Sequence, residues 1–209
     1  MDRDFKLSGE AIIELHDRLT RDWHSAPPKP EVREADDWLA QVARQHRANI
    51  DLWHIEDEAR TPGATDAALA EVKRRIDRTN QLRNDLAEGL DRTLLQWLAA
   101  MALPNVSAPL HSESPGLMID RLSILSLKIY HTREETERRD ASRNHVERNQ
   151  ERLAVLQEQR TDLAHCLDTF WRETLSGTRR FKIYRQMKMY NDPSLNPAIY
   201  RSTNPEKGT

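Results

Sequence analysis

Apolar side chains recur at three- and four-residue steps along most of the chain, the spacing of one face of an α-helix, without useful strand-like alternation. Helix starts are predicted after Ser8, near Asp36 or Asp37, near Thr65 or Asp66, at Ser114-Pro115 and ahead of Val146. Stops are predicted before Pro27-Pro28-Lys29-Pro30, at Thr61-Pro62-Gly63, near Ala102 and at Gly177. The pattern predicts an all-α fold, a bundle of four to five long antiparallel helices with a short irregular C-terminal tail.

We expect a single helical domain, because 209 residues are enough for one substantial core. Its parts are an N-terminal helix with a proline-rich connector (1–35), the main helical bundle (36–177) and a basic, proline-containing tail (178–209). The fourth helix is apolar on most of its circumference, so we expect it in the middle of the bundle. The densely charged stretch from Arg133 to Gln150 is either a helical extension or an exposed bend.

Composition narrows the possible function classes. Lysine and arginine total 32 against 34 acidic residues, and a formal charge of −2 disfavours general nucleic-acid binding. The single cysteine, Cys166, has no disulfide partner, which favours a reducing compartment. The N-terminal sequence lacks the apolar stretch of a signal peptide, and the longest apolar run, Leu94 to Leu103, is too short for a membrane span. We therefore expect a cytoplasmic protein with no membrane span.

Two predicted core-facing helix stripes turn polar partway along. The polar positions are Asn49, Glu56, Asp57 and Arg60 on the second helix, and Lys73, Asp77, Asn80, Asn84, Glu88 and Asp91 on the third, with Arg83 in its apolar phase. Buried polar groups are costly unless they are paired, so each face is a satisfied network, a ligand site or the solvated side. Trp53 lies in the second helix's stripe and favours a covered side there, whereas the line on the third is typical of a solvated face.

The start of the fourth helix is a candidate anion site. Gly116 gives close backbone access at the helix N-terminus, where free amide groups and the helix dipole favour phosphate. Charged and polar residues then interrupt the apolar surface at Asp120, Arg121, Ser123 and Lys128. The alternative is a salt network, Asp120–Arg121 or Asp120–Lys128, that only fixes helix packing.

Metal chemistry has a weaker basis in the sequence. Carboxylate and amide oxygens suit a hard cation such as magnesium, and Glu56, Asp57, Asp77 and Asn80 are the candidate ligands. Asp51 with His54, and Asp162 with His165, have the acid-x-x-His spacing of di-metal bundles, but such pairs also arise by chance in charged helices. A divalent metal is therefore a possible cofactor, and no other cofactor motif is present.

The segment from Arg179 to Tyr190 is strongly basic with interleaved aromatic residues. It suits an anionic membrane surface, a nucleotide phosphate or a partner protein. The alternative is an amphipathic tail whose aromatics dock on the bundle while the basic side chains reach solvent.

Four ordered segments carry a family resemblance. They are Asn49-x-x-Leu52-Trp53-His54-x-Glu56-Asp57-x-Ala59-Arg60, Lys73-Arg74-x-Ile76-Asp77-x-x-Asn80-Gln81-x-Arg83-Asn84-Asp85, Glu113-x-Pro115-Gly116-x-x-Ile119-Asp120-Arg121-Leu122-Ser123-Ile124-Leu125 and Tyr184-Arg185-Gln186-x-Lys188-Met189-Tyr190-Asn191-Asp192-Pro193. Together they resemble an uncharacterised bacterial family, the domain of unknown function numbered 4254. The resemblance implies a single-domain protein often encoded near glycosyltransferases of lipopolysaccharide or other surface-glycan assembly. It implies no established activity.

The leading hypothesis is a cytoplasmic protein of surface-polysaccharide assembly that binds an anionic sugar-linked ligand, such as a nucleotide sugar or phosphosugar. The candidate residues are Arg60, Arg83, Arg121 and Lys128 for phosphate, Asn49, Asn80 and Asn84 for hydroxyl and amide groups, Trp53, Glu113 and Gly116 as further ligand contacts, Asp57, Asp77 and Asp120 for catalysis, and Glu56, Asp57 and Asp77 for a metal. Two alternatives are an interaction module that docks a glycosyltransferase or a membrane surface, and a metal-dependent nucleotide or nucleotide-sugar hydrolase. Whether the chain is an enzyme stays open.

Overall fold

The computed structural model describes residues 7–25, 38–185 and 194–197. These residues form five α-helices: α1 Gly9–Ser25, α2 Trp38–Glu58, α3 Asp66–Ala99, α4 Pro115–Glu137 and α5 Arg143–Leu175. Within the described ranges the only β-type pairing is an isolated parallel bridge between Leu110 and Arg180. The predicted all-α helical bundle is confirmed.

Side-chain caps start the three long C-terminal helices where the sequence places them. The hydroxyls of Thr65, Ser114 and Ser142 accept hydrogen bonds from backbone N–H groups in the first turns of α3, α4 and α5. Each cap satisfies a donor that has no partner inside the helix. Gly177, just beyond α5, has a φ of +72°, the left-handed conformation that commonly ends a helix.

The charged stretch between Arg133 and Gln150 divides into three parts. α4 continues to Glu137, residues 138–142 turn the chain, and α5 begins at Arg143. The third helix ends at Ala99, three residues before the predicted Ala102, whose φ of +57° is incompatible with helix continuation.

The fourth helix lies at the centre of the bundle, as predicted, and packs against α1, α2, α3 and α5. The shared core contains Ile12 and Leu15 of α1, Val42 of α2, Leu90, Leu94 and Leu98 of α3, Met118, Ile119 and Leu122 of α4, and Leu163, Leu167 and Phe170 of α5. α4 is therefore buried on several faces, which explains why its apolar residues do not form a single stripe.

Parts of the predicted inward stripes are wrong. Asp57, near the end of α2, and Arg60, just beyond it, are exposed, while Ile55 takes the buried position in that turn. At the other end of α2, Leu39 is exposed and Trp38 is buried. α2 packs against α1, α3 and α4, so no single line of residues describes its buried surface.

The start of the C-terminal tail docks on the bundle. Phe181 is buried against Phe170 of α5, with ring centroids 6.1 Å apart, and Arg180 Nε donates to the Ala108 carbonyl at 2.8 Å. Tyr184 is exposed. Residues 186–193 and 198–209 of the predicted tail, and the proline-rich connector, lie outside the described residues. No helix in the described part of the chain combines the length and apolarity that a bilayer crossing requires.

Candidate functional site

A cluster of buried polar side chains joins α2, α3 and α4. We call it the buried polar cluster, and it consists of Gln45, Asn49, Arg83, Asp120 and Ser123. The amides of Gln45 and Asn49 donate to Asp120 Oδ1 at 2.5 and 2.9 Å, and Asn49 also donates to Ser123 Oγ at 2.9 Å. Arg83 Nη1 lies 3.7 Å from Asp120 Oδ2. Three predicted candidates, Asn49, Arg83 and Asp120, thus converge, with Asn84 buried and Asn80 half-buried on the same stretch of α3.

Burial dominates the electrostatics of this cluster. It raises the pKa of Asp120, and the Arg83 guanidinium and the two amide donors partly oppose that shift. The predicted ion pairs of Asp120 with Arg121 or Lys128 do not form, because Arg83 and the amides occupy its carboxylate. Gln45 Oε1 and Arg83 Nε are the buried atoms of the cluster that have no hydrogen-bond partner. The cluster is therefore mainly the Asp120 carboxylate, held by hydrogen-bond donors and by the Arg83 guanidinium.

The predicted anion site at the start of α4 is filled by the chain itself. The Asp91 carboxylate accepts a hydrogen bond from the Gly116 backbone N–H at 2.7 Å and another from the Ser114 hydroxyl. A Cβ built on Gly116 would overlap the Ala87 carbonyl oxygen, so the glycine permits close packing of α4 on α3. Phosphate binding at Gly116 is therefore contradicted, because an internal carboxylate already uses the amide that would hold it.

The Asp91 carboxylate is buried without a cationic partner in the described structure. Its desolvation raises its pKa to about 6, against the lowering effect of its hydrogen bonds to Ser114 and Gly116, and Glu88 adds a smaller raising effect. The helix N-terminus and the Ser114 hydroxyl therefore compensate only in part for burying this charge.

Several other candidate residues lie in surface ion pairs. Arg121 forms two hydrogen bonds to Glu113, at 2.8 and 2.9 Å, Arg60 pairs with Glu56, and Lys73 pairs with Asp77. Solvent competes strongly with such pairs. No group of three or more His, Cys, Asp or Glu side chains suited to a metal ion occurs in ranges 7–25, 38–185 and 194–197, so Glu56, Asp57 and Asp77 are not assembled into one.

A cavity of about 410 Å³ opens between α2, α4 and α5. We call it the Trp53 pocket. It is lined by Trp53 of α2, by Lys128, His131, Thr132 and Glu135 of α4, and by Asn149, Arg152 and Leu156 of α5. Two predicted ligand-binding residues, Trp53 and Lys128, therefore meet at one cavity, distinct from the buried polar cluster.

An aromatic pair forms one wall of this pocket. The rings of Trp53 and His131 are stacked with centroids 4.7 Å apart and an angle of 12° between their planes. His131 Nδ1 lies 2.8 Å from Glu134 Oε2 and donates a hydrogen bond to it, because a carboxylate only accepts. His24 contacts His131 from the α1 side. The contacts on both sides hold the wall in place.

The rest of the lining supplies charge. Asn149 is buried and donates through Nδ2 to the His145 carbonyl at 3.0 Å, and its Oδ1 accepts from Arg152 Nη1 at 2.9 Å. Glu135, the acidic group of the lining, is already bonded to His145 and Arg138. In the described part of the chain neither Lys128 nor Arg152 is in an ion pair. The pocket thus presents two cations without ion pairs and one carboxylate, Glu135, that is already bonded to other residues.

Sequence reasoning missed six of the eight lining residues, among them His131, Asn149 and Arg152. Asn149, Arg152 and Leu156 recur at three- and four-residue steps, which would have indicated one face of α5. They lie among many charged residues of an otherwise exposed helix, where that spacing does not distinguish a pocket wall from a solvated surface.

The fold and these two polar sites define a class of all-helical bundle protein with a buried carboxylate network and a cationic, aromatic-walled pocket. A family model described as a protein of unknown function, DUF4254, matches residues 39–183. The chain belongs to this family, as its sequence motifs predicted. No curated protein and no solved structure matches the chain.

Proposed function

We propose that the protein binds an anionic sugar-linked ligand, such as a nucleotide sugar or a sugar phosphate, in the Trp53 pocket. The observation that carries this proposal is that a stacked aromatic pair and two cations without ion pairs line one cavity. The pocket volume of about 410 Å³ lies in the range of ordinary small-molecule sites. It suits a sugar phosphate, or one end of a larger nucleotide sugar.

We expect the aromatic and the cationic residues of the pocket to bind different parts of the ligand. The half-buried Trp53 ring offers a flat apolar surface to a sugar or a base, since aromatic side chains stack on such rings. Lys128 and Arg152 offer charged donors to phosphate oxygens, and Asn149 holds Arg152 in position. Thr132 adds a hydroxyl near the cations.

This proposal changes the roles expected from the sequence. Lys128 keeps its phosphate role, whereas Arg60, Arg83 and Arg121 are each paired with a carboxylate of the chain. The buried polar cluster becomes the structural support between α2, α3 and α4. Cytoplasmic location and participation in surface-polysaccharide assembly are part of the proposal. The first rests on the cysteine content of the sequence, and the second rests on the family resemblance alone.

The two alternative functions stay as predictions. The interaction module depends on a basic tail that lies largely outside the described residues. The metal-dependent hydrolase requires Asp57 and Asp77, which lie on α2 and α3, to act together. No contact between the described residues favours either alternative.

A thermal-shift screen with UDP-glucose, UDP, glucose 1-phosphate and glucose, each with and without magnesium, tests the proposal. A ligand that binds the native state at a hundredfold excess over its Kd stabilises it by about 2.7 kcal/mol, which is readily measured. We expect phosphorylated compounds to stabilise the wild type and glucose alone to have little effect. The absence of a shift with every phosphorylated compound would contradict the proposal.

A further inference from the structure

Two histidines are buried together between α1 and α2. The rings of His16 and His46 are stacked with centroids 4.3 Å apart, and neither side chain is exposed to solvent. His46 bonds to the hydroxyls of Thr20 at 2.9 Å and of Ser123 at 2.7 Å. Neither ring nitrogen of His16 has a hydrogen-bond partner. A proton added to His16 would therefore create an unpaired charge in the interior.

The groups around this pair do not supply a compensating negative charge. Arg160 of α5 lowers the pKa of His16, and His24 of α1 lowers that of His46. Two carboxylates are linked to the pair: Asp17 follows His16 in the chain, and Asp120 shares the Asn49 amide with Ser123, a partner of His46. Asp17 is paired with Arg160 at 2.5 Å, and Asp120 is held by Arg83, Gln45 and Asn49. Arg47 lies over the Trp23 ring, 5.0 Å from its centroid. Both carboxylates near the pair are thus already committed to other partners.

Burial lowers the pKa of both imidazoles. For His16 desolvation is the main cause, followed by the repulsion of His46 and Arg160, and its pKa lies well below the ordinary value. For His46 desolvation lowers the pKa to about 3. The docked form of α1 therefore holds two neutral histidines at any mildly acidic pH.

Besides the histidine stack, α1 packs against α2, α4 and α5. Its first residue, Gly9, donates to Asp168 Oδ1 at 2.7 Å, and Ile12 and Leu15 enter the core. A cavity of about 310 Å³ lies between the C-terminal half of α1 and α4, lined in part by Thr20, Ser126 and Tyr130. The helix also precedes residues 39–183, the part of the chain that matches the family model.

We propose that the His16–His46 stack makes α1 an acid-releasable helix, which undocks from α2 and α4 at mildly acidic pH while the rest of the bundle stays folded. Undocking exposes both imidazoles to water, where they take up protons. It also uncovers the face of α2 and α4 that carries His46 and Ser123. It also removes the His24–His131 contact, one support of the Trp53 pocket wall, although the release of α1 requires no ligand in that pocket.

The size of the effect follows from proton linkage. Each histidine is neutral when α1 is docked and has the ordinary histidine pKa in water when α1 is released. Lowering the pH from 7.5 to 5.5 therefore raises the equilibrium constant for release about tenfold per histidine. Two such histidines give about 100-fold.

Amide hydrogen exchange of the full chain between pH 7.5 and 5.5, corrected for intrinsic exchange rates, tests the inference. We expect the opening constant of α1 amides to rise about 100-fold more than that of core amides in α4 and α5. In His16→Leu or His46→Gln the rise should be about tenfold smaller, and in exposed His165→Gln it should match the wild type. His16→Leu removes no hydrogen bond, so it is expected to fold.

Two results would overturn the inference. One is an α1 opening constant whose pH dependence is the same in the wild type and in a folded His16→Leu or His46→Gln variant. The other is an equal loss of protection in all five helices of the wild type, which would show global unfolding rather than release of α1. The second result needs no variant, so the inference stays testable if both substitutions prevent folding.

Discussion

The Asp91 carboxylate and the Gly116 backbone N–H are joined by a 2.7 Å hydrogen bond across the contact between α3 and α4. The helix N-terminus that the sequence offers to a ligand phosphate therefore binds an anion from within the chain. The same carboxylate accepts from the Ser114 hydroxyl, which also caps α4. This part of the molecule stabilises the fold and leaves ligand chemistry to another place.

The first prediction compares two glycines in helices. Gly116→Ala should lower the free energy of unfolding by about 2–3 kcal/mol, because the new methyl group overlaps the Ala87 backbone oxygen and the Asp91 carboxyl. Gly89→Ala should raise it by about 0.5–1 kcal/mol, because nothing lies within 4 Å of its added Cβ and alanine favours the helix. Urea unfolding of the two variants measures both values. Equal effects at the two positions would contradict the close packing at Gly116.

The second prediction concerns the pH dependence that Asp91 contributes. Its folded-state pKa of about 6 lies above that of an unfolded aspartate, so its stabilising contribution is present at low pH and is lost as pH rises through about 6. Asp91→Asn cannot titrate and lacks this term. The stability difference, wild type minus Asp91→Asn, should be about 1.4 kcal/mol larger at pH 5 than at pH 7.5.

Denaturant unfolding of both proteins at the two pH values gives this difference. The contributions of His16, His46 and all other groups are common to both proteins and cancel to first order. A stability difference that does not change with pH would show that burial does not raise the pKa of the Asp91 carboxyl.

The third prediction compares two neighbouring residues of α4. Asp120→Ala should lower the free energy of unfolding by about 2–4 kcal/mol, because it leaves the amide donors and Arg83 without their acceptor. Arg121→Ala should change it by less than about 1 kcal/mol, because its ion pair with Glu113 is on the surface. Thermal and urea unfolding measure both. A small effect of Asp120→Ala on the free energy of unfolding would contradict the role of Asp120 in supporting the contact between α2, α3 and α4.

The helices could be predicted from the sequence because the relevant information is local. Ser114-Pro115 and the apolar spacing of α4 specify both where that helix begins and that it is buried. The helix phase also identified Asn49, Arg83 and Asp120 as polar groups on inward faces. It could not show that Arg83, and not Arg121 or Lys128, pairs with Asp120, because phase gives a direction and not a partner helix.

The rest of the site depends on contacts between residues far apart in the chain. The Asp91–Gly116 bond closes a predicted anion site from another helix, and no local pattern reports it. The Trp53 pocket forms where α2 and α4 meet Asn149 and Arg152 of α5. In the sequence these two residues look like part of a solvated, charge-rich helix, and only the packing of α5 against α4 distinguishes them.

The central claim is that Lys128 and Arg152 hold the phosphate of a ligand in the Trp53 pocket. The measurement that tests it most directly is titration calorimetry with the phosphorylated compound that shifts stability most, for wild type, Lys128→Ala and Arg121→Ala. Arg121 is the matched control, because it is a cation of the same helix that is already paired with Glu113.

We predict that Lys128→Ala weakens binding at least about tenfold, since a charged hydrogen bond contributes about 1.5–3 kcal/mol, and that Arg121→Ala leaves the Kd unchanged. Because Lys128 is exposed, its loss should leave the free energy of unfolding almost unchanged. Unchanged binding in Lys128→Ala, or a loss confined to Arg121→Ala, would contradict the account and move the phosphate site away from the Trp53 pocket.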